Sequence, residues 1–215
     1  MAIATYSDLK TSVATWLNRS NLTARIPEFI TLAESRIAYG SKAPPMPSEP
    51  LRIRAMEASE YATISDQRIA LPTGFLSQRR FYLSGTPVTE LKFIAPDLFW
   101  QLYMGSASGK PQAFTVEGNE LVFGPAPDGS YTGQLLFHKK FTAFSDDADT
   151  NWLLTNSPGT YLHGALAEAH LFARNSAQAA AELSMFAGAI NSLNQADKSD
   201  RYAGPWQSHG DTGNP

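Results

Sequence analysis

The residues that could do chemistry in this chain are few and scattered. Gly105-Ser106-Ala107-Ser108-Gly109-Lys110 has the glycines and lysine of a phosphate-binding loop. The glycines stand one residue too close, and Pro111 occupies the place of the hydroxyl that would hold magnesium, so the stretch reads as a loop entering a strand. His163 and His170 are seven apart on one predicted helix and share a side of it. Helical metal pairs are usually spaced by four, and no acidic residue on that face completes a ligand set, which leaves a packed or interfacial pair. Asp146, Asp147 and Asp149 lack the spacing and glycine of a calcium loop and read as a solvated turn. No nucleophile-elbow pattern surrounds a serine. The carboxylates Glu57, Glu60, Glu90, Glu117 and Glu120 are those from which a hydrolase would draw a catalytic pair, but nothing in their spacing brings two together. Tyr82, Trp100 and Tyr103 could stack on a sugar; aromatic packing in a core explains them more cheaply. No catalytic residue, metal ligand or cofactor is assigned.

The totals narrow the classes. A chain of 215 residues with 43% apolar content can bury one large core or two small ones, and it excludes wholesale disorder. A net charge of −3 gives no argument for gripping nucleic acid or an anionic membrane. With no cysteine there are no disulfides, thiol nucleophiles or thiolate metal sites. No run approaches a membrane span, and MAIATYSD lacks the basic, then apolar, start of a secretory signal. On that reading the sequons at Asn18-Arg19-Ser20 and Asn21-Leu22-Thr23 are chance matches, and the protein is expected to fold where it is made.

The elements that must position any site follow from periodicity. Thr5 with Asp8 predicts a capping box opening a helix to about Leu17, with Leu9, Val13, Trp16 and Leu17 on one face. A second helix near Pro27 carries Ile30, Ala33 and Ile37 inward. Gly40–Pro50 holds four prolines and reads as a loop or stiff linker. From Leu51 the period becomes two: Leu51, Ile53 and Ala55, then Phe81 and Leu83, then Thr89, Leu91 and Phe93 predict strands with one wet face. Pro96–Met104 predicts a short helix burying Leu98, Phe99 and Leu102. A three-strand meander is expected at about 112–117, 120–124 and 130–138, turning at Gly118-Asn119 and at Pro125–Gly129.

The stretch Asn151–Asn175 organises the rest. Ser157 and Pro158 open a helix whose stripe runs Tyr161, Leu162, Ala165, Leu166, Ala169, Phe172 and Ala173. Ser176 is expected to cap a last helix with a seam at Ala179, Leu183, Phe186, Ile190 and Leu193. From Asp197 the chain turns polar and is expected to be extended, with Arg201, Tyr202 and Trp206 as large residues suited to anchoring on a partner. The expected fold is α+β: an antiparallel helical bundle of residues 1–40 and 151–197, a proline-rich loop at 41–50, an inserted antiparallel β-rich domain at 51–150, and an extended tail at 198–215.

Several stretches, taken in order, resemble one family. They are TYSDLKTSVATWLNRSNLTARIPEFITLAESRI at Thr5–Ile37, LRIRAME at Leu51–Glu57, SGKP at Ser108–Pro111, GPAPDGSY at Gly124–Tyr131 and TNWLLTNSP at Thr150–Pro158. Together they are similar to the head-to-tail adaptor proteins of tailed bacteriophages; the proline-rich Gly40–Pro50 is an insertion against that pattern. The resemblance implies a virion structural protein and not an enzyme. It implies a ring, a dodecamer in this family, between the portal protein and a tail or nozzle protein, through which genomic DNA passes without sequence-specific binding. It further implies that the tail with Arg201, Tyr202 and Trp206 docks on the portal. Glu168 and Arg174, on the outward side of the stripe, are candidates for contact with the neighbouring subunit. The alternatives are a small hydrolase acting on cell wall or capsid, and a host-surface or glycan-binding module.

Overall fold

The first helix shows how local chemistry sets the frame. In a computed structural model that describes residues 2–42 and 47–201, α1 (Tyr6–Leu17) starts with the expected capping box: Asp8 N donates to Thr5 Oγ1 at 3.2 Å and Thr5 N donates to Asp8 Oδ2 at 3.1 Å. Two further orphan amides of its first turn, those of Tyr6 and Ser7, donate to the Asp149 and Asp147 carbonyls. The acidic turn is therefore a seat for this helix. The Asp149 carboxylate holds the turn, accepting from the Ser145 and Asp146 amides, and these hydrogen bonds keep its pKa below the usual carboxylate range.

The chain is α+β and divides into two units, Met1–Ala55 with Thr142–Pro215, and Met56–Phe141. The first contains α1, α2 (Ile26–Tyr39), α4 (Trp152–Asn156), α5 (Pro158–Phe172) and α6 (Ser176–Arg201). α5 packs against α1, α2, α4 and α6. It is buried on more than one face, with Thr160, Tyr161, Leu162, Gly164 and the run Ala165–Ala169 all inside, so the predicted stripe is wider than one side. Gly164 lies against Ala33 and Phe186, and a Cβ there would come 2.9 Å from the Ala33 Cβ. Two residues expected on apolar faces point out instead: Trp16 of α1 is 61% exposed and Phe172 of α5 52%. Ser157 does precede Pro158, but its hydroxyl meets the Thr160 hydroxyl at 2.9 Å and caps no amide. Asn175, one residue before the expected Ser176, receives the Gln178 amide at the head of α6.

The second unit contains α3 (Pro96–Tyr103) and a seven-stranded sheet of β1 (Glu57–Ile64), β2 (Arg68–Ala70), β3 (Phe75–Leu83), β4 (Thr89–Phe93), β5 (Ala113–Glu117), β6 (Glu120–Gly124) and β7 (Tyr131–Lys139). The strand order is β1-β7-β3-β4-β5-β6-β2, antiparallel except where β4 runs parallel to β5. Ile64, Phe81, Leu83, Leu91, Phe114, Phe123, Leu135 and Phe137 form its core.

Three expectations are corrected here. The first concerns the meander. β5 and β6 form the predicted hairpin across Gly118, whose φ of 57° suits glycine, but β7 pairs with β1 and β3 instead of β6. Alternation fixes which face of β7 is buried, not which strand lies beside it. The second concerns α3, which buries Phe99 against Ala113 and Val122 and leaves Leu98 and Leu102 about half exposed. The third concerns Leu51–Ala55, which is no strand. Leu51 and Ile53 are buried, but the sheet begins at Glu57 after a 3-10 turn at Arg54–Met56.

Candidate interaction site

A buried backbone segment must pair its amides and carbonyls somewhere; the Leu51 amide donates to the Ile37 carbonyl of α2 at 2.9 Å, and Pro50, Arg52 and Arg54 find their partners on α6. Asn194 Oδ1 accepts from Arg52 N at 2.8 Å, and Asn194 Nδ2 donates to the Pro50 carbonyl at 3.1 Å. One helical turn on, Asp197 Oδ1 accepts from Arg54 N at 2.8 Å and from Arg54 Nε at 3.3 Å. Arg54 Nη2 reaches Asp200 at 3.0 Å, and Arg201 Nε donates to the other Asp197 oxygen. A carboxamide and a carboxylate spaced three apart on one helix face thus read the backbone as a neighbouring strand would.

Arg52 closes the other side. Its guanidinium donates to the Ala38 carbonyl at 2.9 Å and the Leu51 carbonyl at 2.7 Å, serving the last turn of α2. Burial pushes its pKa down from the ordinary arginine value. Beside this strap lies an open groove of about 660 Å³, lined by Ile53, Arg54, Trp152, Leu193, Ala196 and Asp200 among others. Trp152 is 42% exposed there.

This network also corrects the expected tail. α6 does not stop near Asp197 but continues to Arg201. Asp197 and Arg201 face each other at i,i+4 on the helix, a spacing that supports it. Of the tail anchors named above, Arg201 is therefore helical, while Tyr202 and Trp206 lie outside the described residues, as do residues 43–46 of the proline-rich insertion.

The two candidates for subunit contact sit differently. Glu168 is 9% exposed and ion-paired with Arg36 of the same chain, joining α5 to α2. Arg174 is exposed in the turn between α5 and α6 and has φ 56°. His163 Nδ1 lies 2.7 Å from Glu182, linking α5 to α6, with the Trp16 ring edge-on to it. His170 is not part of that pair. Among the described residues no group of His, Asp and Glu is arranged to hold a metal, and no helix is long and apolar enough to cross a membrane.

In the second unit four of the five candidate carboxylates are engaged by cations. Arg68 binds Glu117 at 2.9 Å and Glu120 at 3.1 Å, Arg79 binds Glu57, and Arg80 lies 3.8 Å from Glu90. Glu60, exposed on β1, stands apart from these pairs. The Trp100 indole donates to Glu117, Tyr103 packs on Phe99, and Arg80 donates to the Tyr82 hydroxyl at 3.0 Å. Lys110 of the glycine-containing loop donates to Thr89, and Gly109 N donates to the Ala126 carbonyl. Sequence reasoning missed Asn194 and Asp197. The signal was there: Asn191, Asn194 and Asp197 recur every three residues where the apolar seam of the last helix ends.

What these residues build is an α+β scaffold whose last helix clamps the chain's own backbone at Pro50, Arg52 and Arg54. A family model described as SU10 adaptor protein matches residues 4–209, and the chain belongs to that family. It is a phage adaptor family with a structural role, which makes the chain a virion component that works against other virion components. No curated protein matches the chain.

Proposed function

We propose that the protein is a head-to-tail adaptor: a ring subunit between the portal and the tail that seals the packaged head, offers the tail its platform and lets DNA pass. The family match across residues 4–209 carries this reading. In it, α1, α2, α5 and α6 form an antiparallel bundle standing side by side with its copies, a dodecamer in the resemblance drawn above. Arg174 is offered to the neighbour at the α5–α6 turn, and the Arg36–Glu168 pair holds the contacting helices in place. The chain beyond Arg201, with Tyr202 and Trp206, docks on the portal, and Arg201 orients its departure.

Sedimentation of the protein alone and mixed with its portal tests the reading. The expected result is a slow species alone and a ring-sized complex on the portal; unchanged sedimentation overturns it. Because α6 runs to Arg201, the informative deletion is 202–215. It is expected to keep helix content and the stability of the strap while weakening portal binding.

A further inference from the structure

The sheet of the second unit forks. β3 pairs with β7 over Phe75–Leu83, but with β4 only over Phe81–Leu83. β4 then leaves β3 and pairs with β5 at Lys92 and Phe93. Along residues 75–80, the edge of β3 that faces β4 thus has no strand beside it among the described residues, although β3 is an interior strand of the sheet. The fork holds an open groove of about 480 Å³ whose walls include Arg79, Arg80, Glu90, Lys92, Phe93 and Phe114.

We propose that this fork takes up an extended acidic segment of another protein as an added strand. A strand edge offers a row of main-chain donors and acceptors, and an incoming chain that satisfies them gains affinity from its backbone and selectivity from its alternate side chains. The side chains around the fork specify the occupant. Phe93, 47% exposed and edge-on to Phe114, is an apolar wall for every second residue. Arg79, Arg80 and Lys92 stand against Glu57 and Glu90, an excess of one positive charge (three minus two). Arg79 is engaged by Glu57, and Arg80 is only 3.8 Å from Glu90 at its closest. The Lys92 ammonium has no partner among the described residues. Register shifts at Phe75/Ser77 and Gln78/Arg80 bend this part of β3. Bulges and exposed cations guard an edge against neutral strands, and the same cations favour an acidic one.

The test uses the full chain and an octapeptide of alternating Glu and Val, blocked at both ends. Hydrogen exchange of the backbone is followed with that peptide, with a Lys-Val counterpart and with a Glu-Val peptide N-methylated on the residues that would donate. The Glu-Val peptide is expected to slow exchange within residues 75–80, the N-methylated one to have no effect, and the Lys-Val one to bind about tenfold or more weakly. Lys92→Glu, a change at an exposed position, is expected to invert that preference. Absence of protection, protection elsewhere, or equal binding of both charge types overturns the proposal. So does protection of the same amides that appears on concentrating the protein alone, since the occupant is then a second copy.

Discussion

Asn194 holds the main chain on both sides of Leu51, accepting from the Arg52 amide at 2.8 Å and donating to the Pro50 carbonyl at 3.1 Å. The side chain of Leu51 is wholly buried between those two hydrogen bonds. One carboxamide thereby replaces the strand that Leu51 and Ile53, with their alternating pattern, would otherwise need. The period-two pattern of LRIRAME is real, but it describes an extended segment laid on a helix.

Truncating Asn194 to Ala should leave that amide and carbonyl without partners in a part-buried place. The expected cost is about 1–3 kcal/mol, the range for stranding buried polar groups. Denaturant unfolding measures the loss, and hydrogen exchange should show the Arg52 amide losing protection before the helices do. A variant as stable as the wild type, with that amide still protected, would show that the strap is held by Leu51 and Ile53 alone.

The Arg36–Glu168 pair invites a double-mutant cycle. The side chains are 18% and 10% exposed, so neither charge is well served by water if the other is removed. Glu168→Ala should therefore destabilise by about 3 kcal/mol or more. Arg36→Met with Glu168→Leu should recover most of that loss, because an apolar pair of similar size has no charge to desolvate. If the single and double variants are equally unstable, packing, and not the stranded charge, is what the pair supplies. Its placement explains why an acidic residue outside the predicted stripe is nonetheless buried.

Much of the frame was legible because local chemistry decided it. Thr5 and Asp8 announce a helix start, Gly118 with Asn119 a hairpin, and Phe81 with Leu83 a buried strand face; each depends on residues close in sequence. What was not legible depends on partners far away. β7 carries a good alternating pattern, yet nothing local says that it lies between β1 and β3. The face of α3 is set by Ala113 and Val122, residues of two later strands. Asn194 looks like any polar residue late in a helix until Pro50 and Arg52 are laid over it. The end of α6 is hidden for the same reason: the stretch from Asp197 is too polar for a core, but Arg54 and Arg201 give its acids partners.

Gly164 sets two known effects against each other. Alanine at an interior helix position favours the helix over glycine by about 1 kcal/mol. Here the added methyl would sit 2.9 Å from the Ala33 Cβ and 3.1 Å from the Phe186 ring, so α2 and α6 would both have to yield. Overpacking of this kind costs about 1–3 kcal/mol, and the expected net is destabilisation. A thermal or denaturant melt of Gly164→Ala decides the sign; a stabilised variant would mean that the helices part more easily than this close contact implies.

Tyr161 should make the helical unit sensitive to alkali. Its ring is 1% exposed, and burial raises the pKa of the phenol well above its ordinary value, against a smaller lowering by Asn151 Nδ2, which donates to the hydroxyl at 2.9 Å. A phenol whose native pKa is raised stays protonated in the fold while the unfolded chain ionises from about pH 10. The unfolded state then holds fewer protons than the native one, so stability falls as pH rises, by up to about 1.4 kcal/mol per pH unit above that point. Stability measured by denaturant from pH 9 upward should show this decline. Tyr161→Phe, which has no proton to lose, should start lower by about 1 kcal/mol for the stranded Asn151 amide, and then decline less steeply. If both proteins lose stability with the same slope, other groups govern the alkaline limb and Tyr161 is not its source.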